Sequence, residues 1–260
     1  MDFTGKVAIV TGSSAGIGLA IADAFARAGA QVIVNGRNLE KLGDACEKLK
    51  PYGERILALR GDASDENDVA RIVKIAKSHF GRIDVLVNNA AMTGVGTAIA
   101  QMPIELWDAV MNTNLRGAFL FSKAVIPHFV EQNWGRIINI GGLSAKNPLP
   151  FAAADAAAKA GLIALTRVLA AELGAHNITA NCVIPGFQPD TETGREFNEK
   201  LAAAFHLTPE QSIARTRART LLKRFETTAE IAQTVLFLAS DAGAAITGQN
   251  LNVNCGMATY

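Results

Sequence analysis

The chain has 260 residues, 49% of them hydrophobic and 19% charged, with a net charge of +1. That balance suits a globular chain with a sizeable core and lacks the concentrated positive charge that nucleic acid or an anionic membrane surface requires. The three cysteines, Cys46, Cys182 and Cys255, are too scattered for a disulfide framework or a metal knuckle, and no uncharged run looks like a membrane span of about 20 apolar residues.

The chain opens MDFTGKVAIVTG, which is not the plan of a signal peptide. With so few cysteines, a reducing cytoplasm is the expected setting. The run 6–11 is continuously apolar and reads as a strand, and glycines at 12, 16 and 18 lead into an amphipathic helix over 16–29. Strands follow at 30–35, 55–60, 83–88, 135–140, 178–185 and 249–254, about seven in all. Helical patterns fill the gaps near 38–49, 65–79, 104–131, 153–174 and 228–240. Short apolar runs alternating with longer amphipathic ones predict a doubly wound parallel α/β sheet with helices on both faces. The rhythm never changes composition, so one domain over 1–260 is expected. One stretch breaks it. Residues 186–225 are long, polar and partly helical, which predicts a substrate lid or, on the plainer reading, a surface insertion serving oligomer contacts.

The glycine trio has a specific physical use. Gly12 permits a tight turn, and Gly16 and Gly18 permit close backbone approach and close helix–strand packing. Ser14 and Ile17 complete the loop, and the helix N-terminus behind it offers free N–H groups to a diphosphate. A strand before and a helix after make this a dinucleotide site. The second strand ends at Gly36 rather than at an acidic residue suited to a ribose diol, and Arg37 follows. A guanidinium there suits a 2′-phosphate, so NADP is expected in preference to NAD.

TGSSAGIG, GDASD (61–65), NNAA (88–91), MNTNLRGAF (111–119), GRIINI and AAAKAGLIALTRVLAAEL (156–173) together resemble the short-chain dehydrogenase/reductase family. The resemblance runs over nearly the whole chain. It implies a single Rossmann-type domain assembled as a homodimer or homotetramer and acting on a small molecule. It also implies that Asp62 and Ala63 sit near adenine, Asn89 by the cofactor ribose, and Pro185, Gly186 and Gln188 near nicotinamide.

The catalytic group of that family is a serine, a tyrosine four residues before a lysine, and an asparagine. Asn114 and Lys159 match the asparagine and the lysine, whose family role includes bonding the ribose. The tyrosine position holds Asp155 and the serine position holds Gly142, while NNAA ends in Ala91 where the family usually has glycine. A carboxyl is ordinarily ionised at neutral pH, and aspartate is shorter than tyrosine, so direct protonation of a carbonyl oxygen by Asp155 is disfavoured. Asp155 is instead expected to act as a base, to hold a water, or to form an i,i+4 ion pair with Lys159. Ser144, two residues past the usual serine, is a further candidate, with a loop cap as its plainer role. Tyr260 and His206 are remote alternatives. The expected function is an NADP(H)-dependent oxidoreductase acting on a carbonyl, an alcohol or a conjugated enone through an altered proton relay. Two other readings stay open: a lyase or isomerase using Asp155 as base, and a catalytically silent NADP-binding member. Phe187, Phe197, Leu201 and Phe205 in the lid fit a partly apolar substrate or simple packing of the lid.

Overall fold

A computed structural model describes residues 1–260. Seven parallel strands, β1 (Val7–Val10), β2 (Gln31–Gly36), β3 (Ile56–Arg60), β4 (Val85–Asn88), β5 (Gly135–Ile140), β6 (Ile178–Pro185) and β7 (Asn250–Val253), form one sheet in the order β3-β2-β1-β4-β5-β6-β7. This is the doubly wound Rossmann-type arrangement expected from the alternation of short and long apolar segments.

The continuous apolar runs are explained by helices on both faces. In β1, Ala8 and Val10 point into one core with Ile21, Phe25 and Val235, while Val7 and Ile9 point into the other with Val69, Ile72 and Phe121. Successive strand side chains face opposite ways, so a strand covered on both sides has no polar face. The first core is closed by α1 (Gly16–Arg27), α2 (Leu39–Leu49) and α9 (Thr228–Ala239), the second by α3 (Glu66–Phe80), α5 (Gly117–Gln132) and α6 (Ala153–Leu173).

At the N-terminal edge of the sheet, the fully buried Asp84 carboxylate accepts hydrogen bonds from Val7 N (2.9 Å) and from Arg82 Nε (2.7 Å) and Nη2 (2.5 Å). That cluster holds the edge shut and leaves the C-terminal edge for function. No helix is long and apolar enough to cross a membrane.

Two segments differ from the pattern read in the sequence. The helix expected over 104–131 is divided: α4 (Ile104–Met111) joins α5 through a π-helical turn, Asn112–Arg116. A wider turn of this kind is invisible to a 3.6-residue period and is common at functional sites. Residues 186–225 hold two helices, α7 (Glu192–Ala204) and α8 (Pro209–Arg219). Each starts with a threonine cap, Thr191 and Thr208, and Thr208 forms a reciprocal capping box with Gln211.

Candidate functional site

Strand order reverses between β1 and β4, and a cleft of about 480 Å³ opens at the C-terminal ends of these strands. Ligands of open α/β sheets bind at such a switch point. The glycine loop forms one side. Thr11 Oγ1 accepts from Asn89 N (2.9 Å) and Ala90 N (3.0 Å), and Asn89 Nδ2 donates to Thr11 O (2.9 Å) and Gly12 O (3.0 Å). This lacing leaves no space for side chains. A Cβ at Gly12 would lie 2.7 Å from Ala90 Cα, and one at Gly18 would lie 2.4 Å from Asn89 Nδ2. Gly12 also has a φ of +61°, in the left-handed region. Helix α1 begins after Ala15, with no side-chain cap and no acidic residue in its first turn. Its leading amides therefore face the cleft without a protein acceptor, which suits a diphosphate.

At the end of β2, a Cβ on Gly36 would sit 2.9 Å from Ser14 Oγ, so a carboxylate side chain there would displace the loop serine. Arg37 Nη1 reaches Asp62 Oδ2 at 3.3 Å. Partial burial pushes the Asp62 carboxyl up, but hydrogen bonds from the Ser64 hydroxyl and amide and the adjacent Arg37 charge bring it below the usual carboxylate range. A second cation stands close by. Lys41 Nζ bonds Glu192 Oε2 at 2.6 Å, joining α2 to the first turn of α7 across the cleft.

The reactive end is built from β5, the turn Leu143–Ala145 after it, and α6. Ser144 Oγ donates to Asp155 Oδ2 at 2.6 Å. Lys159 is only 7% exposed, and its Nζ donates to the Ile140 carbonyl at 2.9 Å. Burial pushes its ammonium below the usual lysine value, against the opposing pull of Asp155. The Cys182 thiol beside it is pushed up to about 11 by burial and is no nucleophile at neutral pH. Of the alternatives read for Asp155, the i,i+4 ion pair with Lys159 does not form. Asp155 turns to the serine and Lys159 to the end of β5. Gly142 has extended backbone, φ −172°, and a Cβ there would meet Lys159 Cγ at 3.4 Å and Ser144 Oγ at 3.6 Å. The position has room for a small side chain next to both groups.

The cleft wall includes Gly12, Ser14, Gly16, Ile17 and Gly18 from the loop, Arg37, Asp62, Ala63 and Asn89 beyond it, and Pro185, Gly186 and Gln188 at the end of β6. Ser144, Asp155 and Lys159 share that wall. Asn114 does not. It lies behind the wall in the π-helical turn, where its side chain accepts from Met92 N (2.8 Å) and donates to Met92 O (3.0 Å). It shapes the segment after β4 rather than presenting its amide to the cleft. Tyr260 is also away from it, with its Oη donating to the Lys146 carbonyl at 2.5 Å, and His206 is not on the wall.

Besides Lys41, sequence reasoning missed four residues at or behind the site. Thr191, whose methyl would stand 3.6 Å from a Cβ on Gly16, and Glu192 roof the phosphate loop. Arg219, at the end of α8, lines the same cavity. Glu226 lies behind the Pro185–Gln188 segment, where its Oε1 accepts from Gly186 N (2.7 Å) and Gln188 Nε2 (2.7 Å). Burial pushes this carboxyl above the usual value, although hydrogen bonds, including those from Gln188 and Gly186, act the other way. The polar run TETGREF gave the only available signal, an N-cap, for the first pair. Nothing local marks the other two.

Comparison with known proteins agrees with this architecture. A family profile described as Enoyl-(Acyl carrier protein) reductase matches residues 12–258. The 3-oxoacyl-[acyl-carrier-protein] reductase FabG of Thermotoga maritima is 35% identical over 257 residues, covering 99% of this chain and 99% of its own. A 3-oxoacyl-[acyl-carrier-protein] reductase of Synechocystis is 38% identical over 259 residues, covering 99% of this chain and 98% of its own. Among solved structures, an actinorhodin polyketide ketoreductase with NADPH superposes with a TM-score of 0.93 at 33% identity, covering 98% of each chain. An NAD⁺-bound xylitol dehydrogenase superposes with a TM-score of 0.94 at 30% identity, covering 98% of this chain and 100% of its own. With the sheet order, the glycine loop and these full-length matches in agreement, the chain belongs to the short-chain dehydrogenase/reductase family.

Proposed function

We propose that the protein is an NADP(H)-dependent oxidoreductase that interconverts a carbonyl, or a conjugated enone, with its reduced product, and that Ser144 and Asp155 replace the proton relay usual in the family. The observation that carries this reading is the 2.6 Å bond from Ser144 to Asp155 on the wall of the cleft that also holds the glycine loop. The uncapped start of α1 fits a diphosphate, and Arg37, with no carboxylate at position 36, fits a 2′-phosphate. Relatives are solved with either cofactor, so the preference for NADP rests on Arg37.

When bound, the nicotinamide supplies or accepts the hydride; the protein handles the proton. In the oxidative direction, Ser144 Oγ takes the proton of the substrate hydroxyl while passing its own to Asp155 Oδ2. Reduction runs the same relay backwards from protonated Asp155. Lys159, fixed by the Ile140 carbonyl, adds positive charge beside the pair and is the group to bond the cofactor ribose. With an enone, hydride goes to carbon and the resulting enolate oxygen demands less of the relay, which suits an aspartate in place of tyrosine. Residues 186–225 act as the substrate lid of a single domain, and homodimers or homotetramers are the working assembly. Phe119 and Val168, 49% and 52% exposed, offer apolar contacts for it.

The test follows NADPH absorbance with a panel of ketones and enones. Turnover is expected, and Asp155→Asn is expected to lower kcat by roughly 10²–10⁴ with NADPH affinity unchanged. Because Asp155 is placed as an acceptor, a second reading is proton abstraction in a lyase or isomerase step. Loss of substrate with constant NADPH absorbance selects that one. Saturable NADPH binding with no change in any substrate selects a silent binding protein and overturns the enzyme assignment.

A further inference from the structure

The charged side chains on the cleft wall account for one another except at one point. Arg37 faces Asp62, Lys41 faces Glu192, and Lys159 bonds the Ile140 carbonyl next to Asp155. The exposed Arg219 side chain has no carboxylate within ion-pair distance and no hydrogen bond to the protein.

Its neighbours on α8 show that this is not the general condition of that helix. Arg215 lies over the Phe205 ring at 5.6 Å, and Arg217 over the Phe225 ring at 5.7 Å. Those two guanidiniums lie over aromatic faces, while Arg219, exposed like them, lines the cavity without such a partner. The backbone just beyond it is pinned. Thr220 is buried, and Leu221 N and Leu222 N both donate to the Cys255 carbonyl, at 2.9 and 3.2 Å. That carbonyl leads to Met257 on the cleft wall, and Gly186 N donates to Val253 O at 3.3 Å. The backbone that follows Arg219 is thus tied to the segment 253–257, which also bonds Gly186.

The wall that Arg219 lines also carries Leu143, Leu149, Phe187, Phe197, Leu201 and Met257, with Thr216 one turn before Arg219. An exposed guanidinium with no protein partner, on a wall that also carries large apolar side chains, suits an anion borne on an apolar body. Its planar fork matches a carboxylate or a phosphate with two parallel hydrogen bonds.

We propose that Arg219 is a specificity-determining residue that binds an anionic group, a carboxylate or a phosphate, borne by a partly apolar substrate. The proposal rests on the oxidoreductase reading for the word substrate, but the binding it requires is independent of turnover. It is tested by calorimetric titration of hexanoate, hexyl phosphate and hexanamide into the NADP⁺-loaded protein and into its Arg219→Ala and Arg219→Lys variants. At least one anion is expected to bind about fivefold to tenfold more tightly than the neutral amide, and whichever anion leads identifies the group. Arg219→Ala is expected to erase that preference while leaving hexanamide and NADP⁺ affinities within about twofold, and Arg219→Lys to restore part of it. Equal binding of the three ligands by the parent protein, or an anion preference that survives Arg219→Ala, overturns the proposal. If NADP⁺ itself fails to bind, the functional reading falls, and the same comparison on the unloaded protein still decides the anion site.

Discussion

Glu226 gives the sharpest test of how the reactive end is supported. Its side chain is 5% exposed, Oε1 accepts from Gly186 N and Gln188 Nε2 at 2.7 Å each, and Oε2 is buried without a partner. No cation answers it, because the neighbouring Arg224 guanidinium is committed to Glu230 at 2.7 and 2.9 Å. Burial therefore raises the Glu226 carboxyl above its ordinary value of 4.5. A raised folded-state value means that the folded protein holds this proton more tightly than the unfolded chain does. The group's contribution is then most favourable below pH 4.5 and declines as pH rises through the raised value. Its titratable neighbours stay out of that window. The hydrogen-bonded Arg224 holds Glu230 down at about 2, and burial pushes the Cys255 thiol above its ordinary 9.0.

Two substitutions at this position should move stability in opposite directions. Glu226→Gln keeps the Oε1 acceptor and removes the charge, so its melting temperature should exceed the parent's at pH 8 and converge with it near pH 4. Glu226→Ala strips the acceptor from two buried donors. Each retains a second partner, Val253 O at 3.3 Å for Gly186 N and the residue-226 carbonyl at 2.9 Å for Gln188. That limits the hydrogen-bond loss to about 1–2 kcal/mol, and the lost methylene burial adds about 1 kcal/mol. Some 2–3 kcal/mol corresponds to roughly 4–12 °C for a chain of this size. Calorimetric scans across pH 4–8 read both variants. If Glu226→Gln loses as much stability as Glu226→Ala at pH 8, the ionised carboxylate is what the loop requires, and the argument from uncompensated burial is wrong.

Other outcomes follow from the same geometry. Gly18→Ala puts a methyl 2.5 Å from the Gly12 carbonyl, which is backbone and cannot swing aside. It should cost about 1–3 kcal/mol and weaken NADPH binding more than tenfold in a fluorescence titration. Gly43→Ala, where a Cβ meets nothing within 4 Å, should instead raise stability by about 0.5–1 kcal/mol. Arg37→Ala removes an exposed ion pair with Asp62, so stability should stay within about 0.5 kcal/mol. Its effect belongs in the ratio of NADP⁺ to NAD⁺ affinity, which should fall about tenfold or more, and an unchanged ratio removes Arg37 from cofactor discrimination.

What the sequence disclosed and what it hid divide by the range of the physics involved. The strands were legible because burial on both faces forces an unbroken apolar run, and that is a local property of segments such as VAIV and ITANCVIP. The glycine loop was legible because a turn with φ near +60° and contacts under 3 Å exclude a Cβ whatever surrounds them. Spacing also brought Asp155 and Lys159 to one stretch of helix but left their relation open. Residues at i and i+4 are neighbours on a surface, whereas here one is buried against β5 and the other is captured by a serine from the preceding turn. Asn114, read from its motif, stands in a π-helical turn that a 3.6-residue period does not register, with its side chain bonded to the Met92 backbone.

The residues missed outright depend on where a distant segment comes to rest. Glu226 is buried only because the chain leaving β6 passes over it, and the run RFETT contains nothing to mark a desolvated carboxylate. Lys41 and Glu192 are 151 positions apart and meet only when α7 lies across the phosphate loop. Arg219 is one of three arginines at alternate positions, and two of the three are claimed by phenylalanines brought in from other segments. Which of the three remains unclaimed is a property of packing, not of composition. Chemistry held in a backbone constraint can therefore be read from the chain alone. Chemistry that depends on a group being left without a partner emerges only once every other partner has been assigned, and that condition singles out the Arg219 guanidinium on the cleft wall and Glu226 Oε2 behind the Pro185–Gln188 segment.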